Sequence, residues 1–349
     1  MKAFGITAYN PVGDLSGFRL LDVPKPSVLG EHDMLVRVKA VSTNPIDLKL
    51  LGNRGKHDEP FNHKDGYMIV GFDGSGIVEQ VGSATSLFKI GDEVMFAGST
   101  IRHGCYAEYV VIDERIAAKK PAKLSFSQAA AIPLTTITAW EGLVDLLCIP
   151  LDPKANAGKT ILVTGGAGGL ATVVIEIAKH VLGLTVIATS SREETRKVVQ
   201  KLGADYVINH HKPMPPQIKA LGLNAEGTVN YVYHGVDLTP DIFADLCAML
   251  KPFGRMCGVV TAATVNLDLL KPKSLSFSAE FMFLRANLCN EESLRHHEIL
   301  TRAADLVDKG ILSVRESVSS PLNETNLKEA LTAQGSGKNI GKITLYFED

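Results

Sequence analysis

The glycine-rich segment TGGAGGLA, at residues 164–171, constrains the fold of this chain more than any other feature. A short apolar run at residues 161–163 precedes it, and apolar residues at helical spacing follow it. A second apolar run occupies residues 184–188. Strand, glycine turn, helix and strand follow one another as in a βαβ unit, whose two strands are parallel. The segment therefore predicts a doubly wound α/β domain built on a parallel sheet.

The glycines also predict a ligand. Gly166, Gly168 and Ala171 fit the pattern G-x-G-x-x-G/A. A tight turn needs the positive φ that glycine tolerates, and a missing side chain lets the backbone approach a pyrophosphate. The N-terminus of the following helix offers free N–H groups to that anion. A glycine turn without a ligand is the alternative. The predicted dinucleotide contacts are Gly166, Ala167, Gly168, Gly169 and Leu170.

The end of the second strand indicates which dinucleotide to expect. NAD-specific sites place Asp or Glu there, about 20 residues beyond the glycines, to accept the ribose 2′-hydroxyl. Residues 188–192 read ATSSR and contain no carboxylate. Hydroxyls and a guanidinium suit a 2′-phosphate, so we predict NADP(H), held by Ser190, Ser191 and Arg192. Ser191 and Glu194 also match a capping box, which gives Ser191 an alternative role.

The chain separates into three zones, and its length suits about two domains. Residues 1–128 alternate short β-like runs with Gly and Pro, a pattern typical of an antiparallel barrel or sandwich. Residues 129–285 alternate helical and strand-like patterns around the glycine turn. Residues 286–349 form the third zone. They contain an apolar helical stripe at residues 292–309, with Asn290 as its predicted cap.

Composition and charge exclude several classes of protein. There are 36 Lys and Arg residues against 38 Asp and Glu, so the formal net charge is −2. Because nucleic acid and anionic membrane surfaces attract basic proteins, neither is expected as a partner. No segment resembles a membrane span or a secretory signal. The five cysteines form no C-x-x-C motif, which favours a reducing, cytoplasmic setting.

Motifs along nearly the whole chain resemble those of the medium-chain dehydrogenases/reductases. They lie at residues 44–49, 71–78, 91–94, 107–109, 133–139, 281–285 and 337–343, in addition to the glycine turn. The resemblance is greatest to the zinc-independent, quinone oxidoreductase-like branch, and within it to the bacterial "zinc-type alcohol dehydrogenase-like" group. It implies a β-rich, GroES-like catalytic domain made from both chain ends around a central Rossmann domain. It also implies a homodimer, formed through strands of the Rossmann sheet.

The resemblance bears on zinc as well. Zinc-dependent members carry Cys where this chain has Asn44 and His where it has Phe72. They also hold a structural zinc on four cysteines, where this chain has Cys105. Because neither Asn nor Phe replaces a thiolate or an imidazole, we expect no metal. Histidines and carboxylates elsewhere lack the spacing of a known site, including those in the long polar loop at residues 52–66. A loop of this length is typically functional or mobile.

Without a metal to activate an alcohol, the better substrates are electrophiles that accept hydride unaided. Quinones and α,β-unsaturated carbonyls qualify, because the negative charge spreads onto oxygen. The family motifs imply that Asn44 donates a hydrogen bond to a substrate oxygen and that Thr138 contacts the nicotinamide end. Tyr67 is the predicted proton donor.

Position in the motifs also implies further cofactor contacts. The backbone of Gly258 and Val259 would meet the nicotinamide amide. Arg285 and Lys338 would reach the cofactor or the substrate, or else are surface charges. The prediction is thus an NADPH-dependent reductase of quinones or enones. A non-catalytic NADPH-binding redox sensor and a zinc alcohol dehydrogenase with unusual ligands are the alternatives.

Overall fold

The structure is a computed structural model. It describes residues 1–27, 29–53, 59–223, 226, 228–261, 264–314 and 316–348. The predicted loop at residues 52–66 therefore lies partly outside the described residues. By its internal contacts the chain divides into two units, residues 1–137 with 282–349, and residues 138–281. Among the described residues, no helix is both long and apolar enough to cross a membrane.

Strands and helices are numbered along the chain. The strands are β1 (Lys2–Ile6), β2 (Arg19–Asp22), β3 (Asp33–Ser42), β4 (Met68–Ile69), β5 (Asp73–Val81), β6 (Glu93–Ala97), β7 (Tyr109–Asp113), β8 (Ala117–Lys119), β9 (Thr160–Val163), β10 (Thr185–Thr189), β11 (Tyr206–Ile208), β12 (Val229–Asp237), β13 (Leu250–Val260), β14 (Ser276–Ala279), β15 (Glu316–Pro321) and β16 (Lys342–Tyr346). The helices are α1 (Pro45–Leu51), α2 (Phe126–Ala130), α3 (Pro133–Trp140), α4 (Gly169–Glu176), α5 (Glu193–Lys201), α6 (Met214–Ala220), α7 (Pro240–Met249), α8 (Phe283–Leu288), α9 (Leu294–Asp308) and α10 (Glu324–Gly335).

The first unit is built around a mainly antiparallel sheet in the order β15-β16-β3-β5-β6-β8, with β7 also paired to β3. A smaller sheet has the order β2-β1-β4. β16 pairs antiparallel with β3, with Thr344 opposite Ser42, so the C-terminal strand completes the N-terminal sheet. Phe96, Tyr106 and Leu345 are fully buried in its core. This is the β-rich, GroES-like domain made from both chain ends that the resemblance implied.

The second unit is a parallel sheet in the order β11-β10-β9-β12-β13-β14. The chain moves outward from β9 in one direction through β10 and β11, and then returns to the other side with β12. β9 and β12 therefore flank a topological switch point, where open α/β sheets bind ligands beyond their carboxyl ends. Leu162, Ile187, Val232 and Phe243 fill the core. The predicted doubly wound domain is confirmed.

The helical stripe predicted at residues 292–309 is present with a modified start. A 3₁₀ turn, Glu291–Ser293, precedes α9, and the side chain of Asn290 accepts the N–H of Glu292. The predicted cap therefore acts on the short turn that leads into the α-helix. Gly310, with φ 71°, follows the C-cap residue Lys309. A glycine in this left-handed region is a common helix end.

Candidate active site

The glycine turn has the geometry that a phosphate cradle requires. Gly165 and Gly166 follow β9 with φ of 103° and 57°, and Gly168 caps α4. A Cβ built on Gly166 would lie 3.2 Å from the carbonyl oxygen of Thr189, so a side chain would intrude into the turn. Ala171 is buried against the turn, in the position where the motif needs a small residue. The N-terminus of α4 thus stays open to an anion.

At the end of β10 the predicted phosphate contacts differ from one another. Ser190 is 1% exposed. Its oxygen lies 2.6 Å from Thr195 Oγ1, with which it shares a hydrogen bond, and 3.2 Å from the carbonyl oxygen of Arg192. Ser190 therefore uses its hydroxyl to brace the turn. Ser191 is half-buried and Arg192 is exposed, so these two are the better placed for a ligand.

The alternative role of Ser191 as a helix cap is wrong. α5 begins at Glu193, and the capping position belongs to Arg192. The side chain of Arg192 makes no capping hydrogen bond to this helix end. The hydroxyl of Thr195, inside the first turn, lies 3.0 Å from the Arg192 carbonyl oxygen, a contact that satisfies no N–H group. The N-cap is therefore Arg192, one residue after the Ser191 that the capping-box pattern predicted.

Behind the glycine turn lies a buried histidine. His234, on β12, is 2% exposed, and its Nδ1 lies 2.9 Å from Thr164 Oγ1. The N–H of Gly235 donates to the same hydroxyl over 3.2 Å. His234 Nε2 lies 3.3 Å from the carbonyl oxygen of Asp237. Burial lowers the pKa of His234, so the imidazole is held neutral between these partners.

A buried polar cluster in the first unit surrounds Asn44, and we call it the lysine centre. It consists of Asn44, Asp47, Asp73, Tyr106 and Lys342. Lys342 Nζ donates to Asn44 Oδ1 over 2.5 Å and to Asp73 Oδ2 over 2.9 Å. Asn44 Nδ2 donates to Asp73 Oδ2 over 2.9 Å. Because an ammonium only donates and a carboxylate only accepts, these contacts fix the orientation of the Asn44 amide.

Asp47 lies deepest in the lysine centre. Its Oδ2 accepts the hydroxyl of Tyr106 over 2.6 Å and the N–H of Asn44 over 2.8 Å. Its Oδ1 has no hydrogen-bond partner among the described residues. Burial raises the pKa of Asp47 to about 7, against the hydrogen bonds that lower it. The pKa of Tyr106 is also raised, because the phenol is buried beside Asp47. This phenol therefore stays protonated.

Tyr67 belongs to a second cluster, nearer the surface. Its ring stacks on the His103 imidazole, with centroids 5.0 Å apart and an interplanar angle of 9°. His103 Nε2 lies 3.0 Å from Asp65 Oδ2, and the N–H of Ile69 donates to Nδ1 over 3.3 Å. Burial and the Asp65 charge raise the pKa of Tyr67, so the phenol is protonated and is a weaker acid than an exposed tyrosine. A proton-donor role for Tyr67 stays a prediction.

The other predicted contacts are distributed over both units. In the second unit, Thr138 is buried and its carbonyl oxygen accepts the hydroxyl of Tyr233 over 2.8 Å. The carbonyl oxygen of Gly258 accepts the N–H of Glu280 over 2.9 Å, and Val259 follows it on β13. In the first unit, Arg285 lies on α8 and Lys338 is exposed before β16. Their roles stay predictions.

Comparison with known proteins shows the family. The profile described as "Alcohol dehydrogenase GroES-like domain" matches residues 30–122, and that described as "Zinc-binding dehydrogenase" matches residues 169–288. The chain is 36% identical to the zinc-type alcohol dehydrogenase-like protein of Staphylococcus epidermidis over 349 residues, 99% of each chain. This protein belongs to the quinone oxidoreductase-like branch of the medium-chain dehydrogenases/reductases. It is an oxidoreductase of that family.

Other members share the fold or part of the sequence. A putative zinc-dependent alcohol dehydrogenase of Rhizobium etli is 37% identical with a TM-score of 0.90, covering 100% of this chain and 98% of its own. The quinone oxidoreductase of Coxiella burnetii is 28% identical with a TM-score of 0.76, over 100% and 99% of the chains. The chloroplastic NADPH-dependent alkenal/one oxidoreductase of Arabidopsis thaliana is 36% identical over 219 residues, 61% of this chain and 53% of that protein.

Zinc-dependent members of the family bind a metal, but the residues at the corresponding positions of this chain do not fit zinc. Phe72 is buried against Phe283, with ring centroids 4.8 Å apart, and offers no ligand atom. The side-chain oxygen of Asn44 already accepts the Lys342 ammonium, and a cation beside that oxygen repels a second one. Among the described residues, no group of His, Cys, Asp and Glu side chains could hold a metal ion. No catalytic step is therefore assigned to zinc.

Lys342, Asp73 and His234 are the functional candidates that sequence reasoning missed. A signal existed for Lys342, because it opens the strand KITLY and is buried there. A buried lysine needs a buried partner. The partner, Asp73, is distant in the sequence and lies within a motif that indicates a strand. No sequence signal joins His234 to Thr164.

Proposed function

We propose that this chain is an NADPH-dependent reductase of quinones or α,β-unsaturated carbonyls that works without zinc. The end of β10 carries the proposal, because Ser191 and Arg192 stand where NAD-specific sites have a carboxylate. An arginine there suits the extra phosphate of NADPH. The Arabidopsis relative, named for NADPH-dependent action on alkenals and alkenones, supports the same cofactor and substrate class. The Coxiella neighbour, named a quinone oxidoreductase, supports quinones.

Residues of the glycine turn would hold the cofactor. The backbone from Gly166 to Leu170 would meet the pyrophosphate, and Ser191 and Arg192 the 2′-phosphate. Thr138, Gly258 and Val259 would contact the nicotinamide. Arg285 and Lys338 would reach the cofactor or substrate. When bound, the reduced nicotinamide supplies a hydride.

The lysine centre would stabilise the charge that hydride addition creates. An enone that accepts hydride at its β-carbon becomes an enolate, with negative charge on the carbonyl oxygen, and a quinone becomes a quinol anion. We assign the stabilisation of this oxygen to Asn44. One N–H of its amide is bound to Asp73, while the other reaches the carbonyl oxygen of Ser42 over a long 3.4 Å. That second N–H is the one to donate to substrate.

A proton must complete the reduction. It goes to the α-carbon of the enolate or to the oxygen of the quinol anion, so each turnover consumes one hydride and one proton. We assign proton donation to Tyr67, because its half-buried phenol carries a proton and its ring is held against His103. The phenolate would then recover its proton from solvent, since Tyr67 is half-buried.

We further propose a homodimer in the cytoplasm. β14 ends the order of the parallel sheet and supplies an edge that a second copy could extend. All five cysteines are free thiols, which suits a reducing compartment. Size-exclusion chromatography with light scattering tests the dimer, and a monomer at micromolar concentration would contradict it.

Binding and turnover together test the function. Titration with NADPH and NADH should show tighter binding of NADPH, and nicotinamide absorbance should fall with quinones and enones but not with saturated aldehydes. NADPH binding without turnover across a broad panel would favour the redox-sensor alternative. Activity that a chelator abolishes and zinc restores would favour an alcohol dehydrogenase with unusual ligands.

A further inference from the structure

Lys342 is an unusual residue for the interior of a β-rich domain. It is 5% exposed on β16, and its ammonium donates to the carbonyl oxygen of Thr43 over 3.0 Å as well as to Asn44 and Asp73. An ammonium has three hydrogens, and these contacts use all of them. The cation is thus held at one point by oxygen atoms from β5 and the segment after β3.

Asp73 is the matching anion. It is fully buried, its Oδ1 accepts the N–H of Leu134 over 2.7 Å, and its Oδ2 accepts both Lys342 and Asn44. Removing Lys342 alone would leave this carboxylate buried without a counter-charge, which is strongly unfavourable. Asn44 joins the pair from both sides, since its oxygen faces the cation and its nitrogen faces the anion.

We propose that Lys342 replaces the metal ion as the fixed cation of this centre and acts as the positioning residue for Asn44. The resemblance implies a metal-binding Cys at position 44 in zinc-dependent members, whereas here the lysine centre holds an amide by hydrogen bonds. This inference rests on the proposed function where it gives Asn44 a role toward substrate. The replacement of the metal by Lys342 does not depend on it.

Kinetics of K342M, N44A and the K342M/N44A double variant test the positioning role. Each single change should lower kcat for an enone by about 100-fold, with the KM for NADPH unchanged. Because Lys342 acts through Asn44, the double variant should lose no more than the worse single variant. Independent, multiplicative losses would overturn the proposal. K342R retains the charge and should recover part of kcat, and equal loss in K342R and K342M would also contradict it.

A double variant that neutralises both Asp73 and Lys342 distinguishes an effect on the position of Asn44 from an effect on folding. K342M alone should lower Tm by about 10 °C, because Asp73 loses its counter-charge. D73N/K342M removes both charges and should recover most of that Tm while kcat stays low. Wild-type kcat in this double variant would show that no fixed cation is needed and would overturn the proposal. The Tm comparison is informative even if no substrate is found.

Zinc binding gives a readout independent of activity. The full-length protein is incubated with zinc, dialysed and analysed for metal, and we expect far less than one ion per chain. About one zinc per chain, lost in N44A, would show a metal in the place assigned to Lys342 and would overturn the proposal. The same metal content in wild type and N44A would mean adventitious zinc and leave Lys342 as the cation.

Discussion

His234 Nδ1 lies 2.9 Å from Thr164 Oγ1, and this contact joins the carboxyl ends of β9 and β12 directly behind the glycine turn. The Asp237 carbonyl can only accept, so the contact at 3.3 Å places the His234 proton on Nε2. In the neutral imidazole Nδ1 is then an acceptor, and the Thr164 hydroxyl donates to it while also accepting the N–H of Gly235. A charged imidazole would place a second donor against Thr164.

This arrangement predicts acid sensitivity. Because the pKa of His234 is below its ordinary 6.5 in the folded protein, the unfolded chain takes up a proton first as pH falls. Stability should therefore decrease as pH drops below about 6.5. H234Q removes the titration, so the Tm of wild type should fall more steeply than that of H234Q between pH 7 and pH 5. Parallel curves for the two proteins would refute this.

Asp47 predicts the opposite dependence on pH. Its pKa is about 7 in the folded protein and 3.8 as its ordinary value, so folding favours the protonated form. The stabilisation is complete below pH 3.8 and is lost as pH rises through about 7, a change of about 4 kcal/mol. D47N lacks this change. The free energy of unfolding of wild type relative to D47N should fall from pH 4 to pH 8, and a constant difference would contradict the burial argument.

A side chain at Gly166 should weaken NADPH binding, because this glycine lies in the turn proposed to hold the pyrophosphate. G166A adds a Cβ 3.2 Å from the Thr189 carbonyl, in addition to the strain of a positive φ, and should weaken NADPH binding at least about 10-fold. Gly158 is the matched control, with φ 74° and no described atom within 4 Å of an added Cβ. G158A should cost about 1–2 kcal/mol in stability and leave NADPH binding intact. If G166A and G158A changed the affinity for NADPH equally, the proposed role of the glycine turn in binding the cofactor would be contradicted.

Arg192 should determine the choice between NADPH and NADH. R192A should raise the KM for NADPH about 10- to 100-fold, the loss of a charge-assisted contact, and change the KM for NADH little. K197A removes an exposed charge from the same helix, where Lys197 lies 3.9 Å from Glu193, and controls for net charge. If R192A and K197A behaved alike, the phosphate contact would have to be sought elsewhere.

Loss of the Tyr67 hydroxyl should slow the proton transfer to the product and should not affect binding of the hydride donor, NADPH. Y67F retains the ring that stacks on His103 and removes the hydroxyl, so kcat should fall about 100-fold while the dissociation constant of NADPH stays the same. Y9F is the control, because Tyr9 also lies near this surface, with its hydroxyl 3.2 Å from His63 Nε2. An unchanged kcat in Y67F would transfer the donor role to another group.

Much of the fold could be predicted because its signals are local. The glycine turn, the apolar runs around it and the missing carboxylate after β10 lie within about 30 residues, and a βαβ unit is built within such a span. The helix at Leu294–Asp308 likewise carries its own apolar stripe, and Asn290 caps the short turn that leads into it. The start of α5 was less predictable, because the N-cap position falls on Arg192 and not on Ser191. Caps depend on backbone angles that a pattern of residue types does not fix.

By itself the sequence predicted a parallel sheet with a dinucleotide-binding turn at residues 164–171. It also showed that Asn44 and Phe72 offer no zinc ligands and that residues 188–192 contain no carboxylate. Only the tertiary structure decided what compensates for the missing ligands. Lys342 and Asp73 are 269 residues apart in the chain and meet because β16 and β5 both pair with β3. Short periodicities encode elements, whereas a buried ion pair arises from sheet topology, which brings together side chains that no local pattern relates.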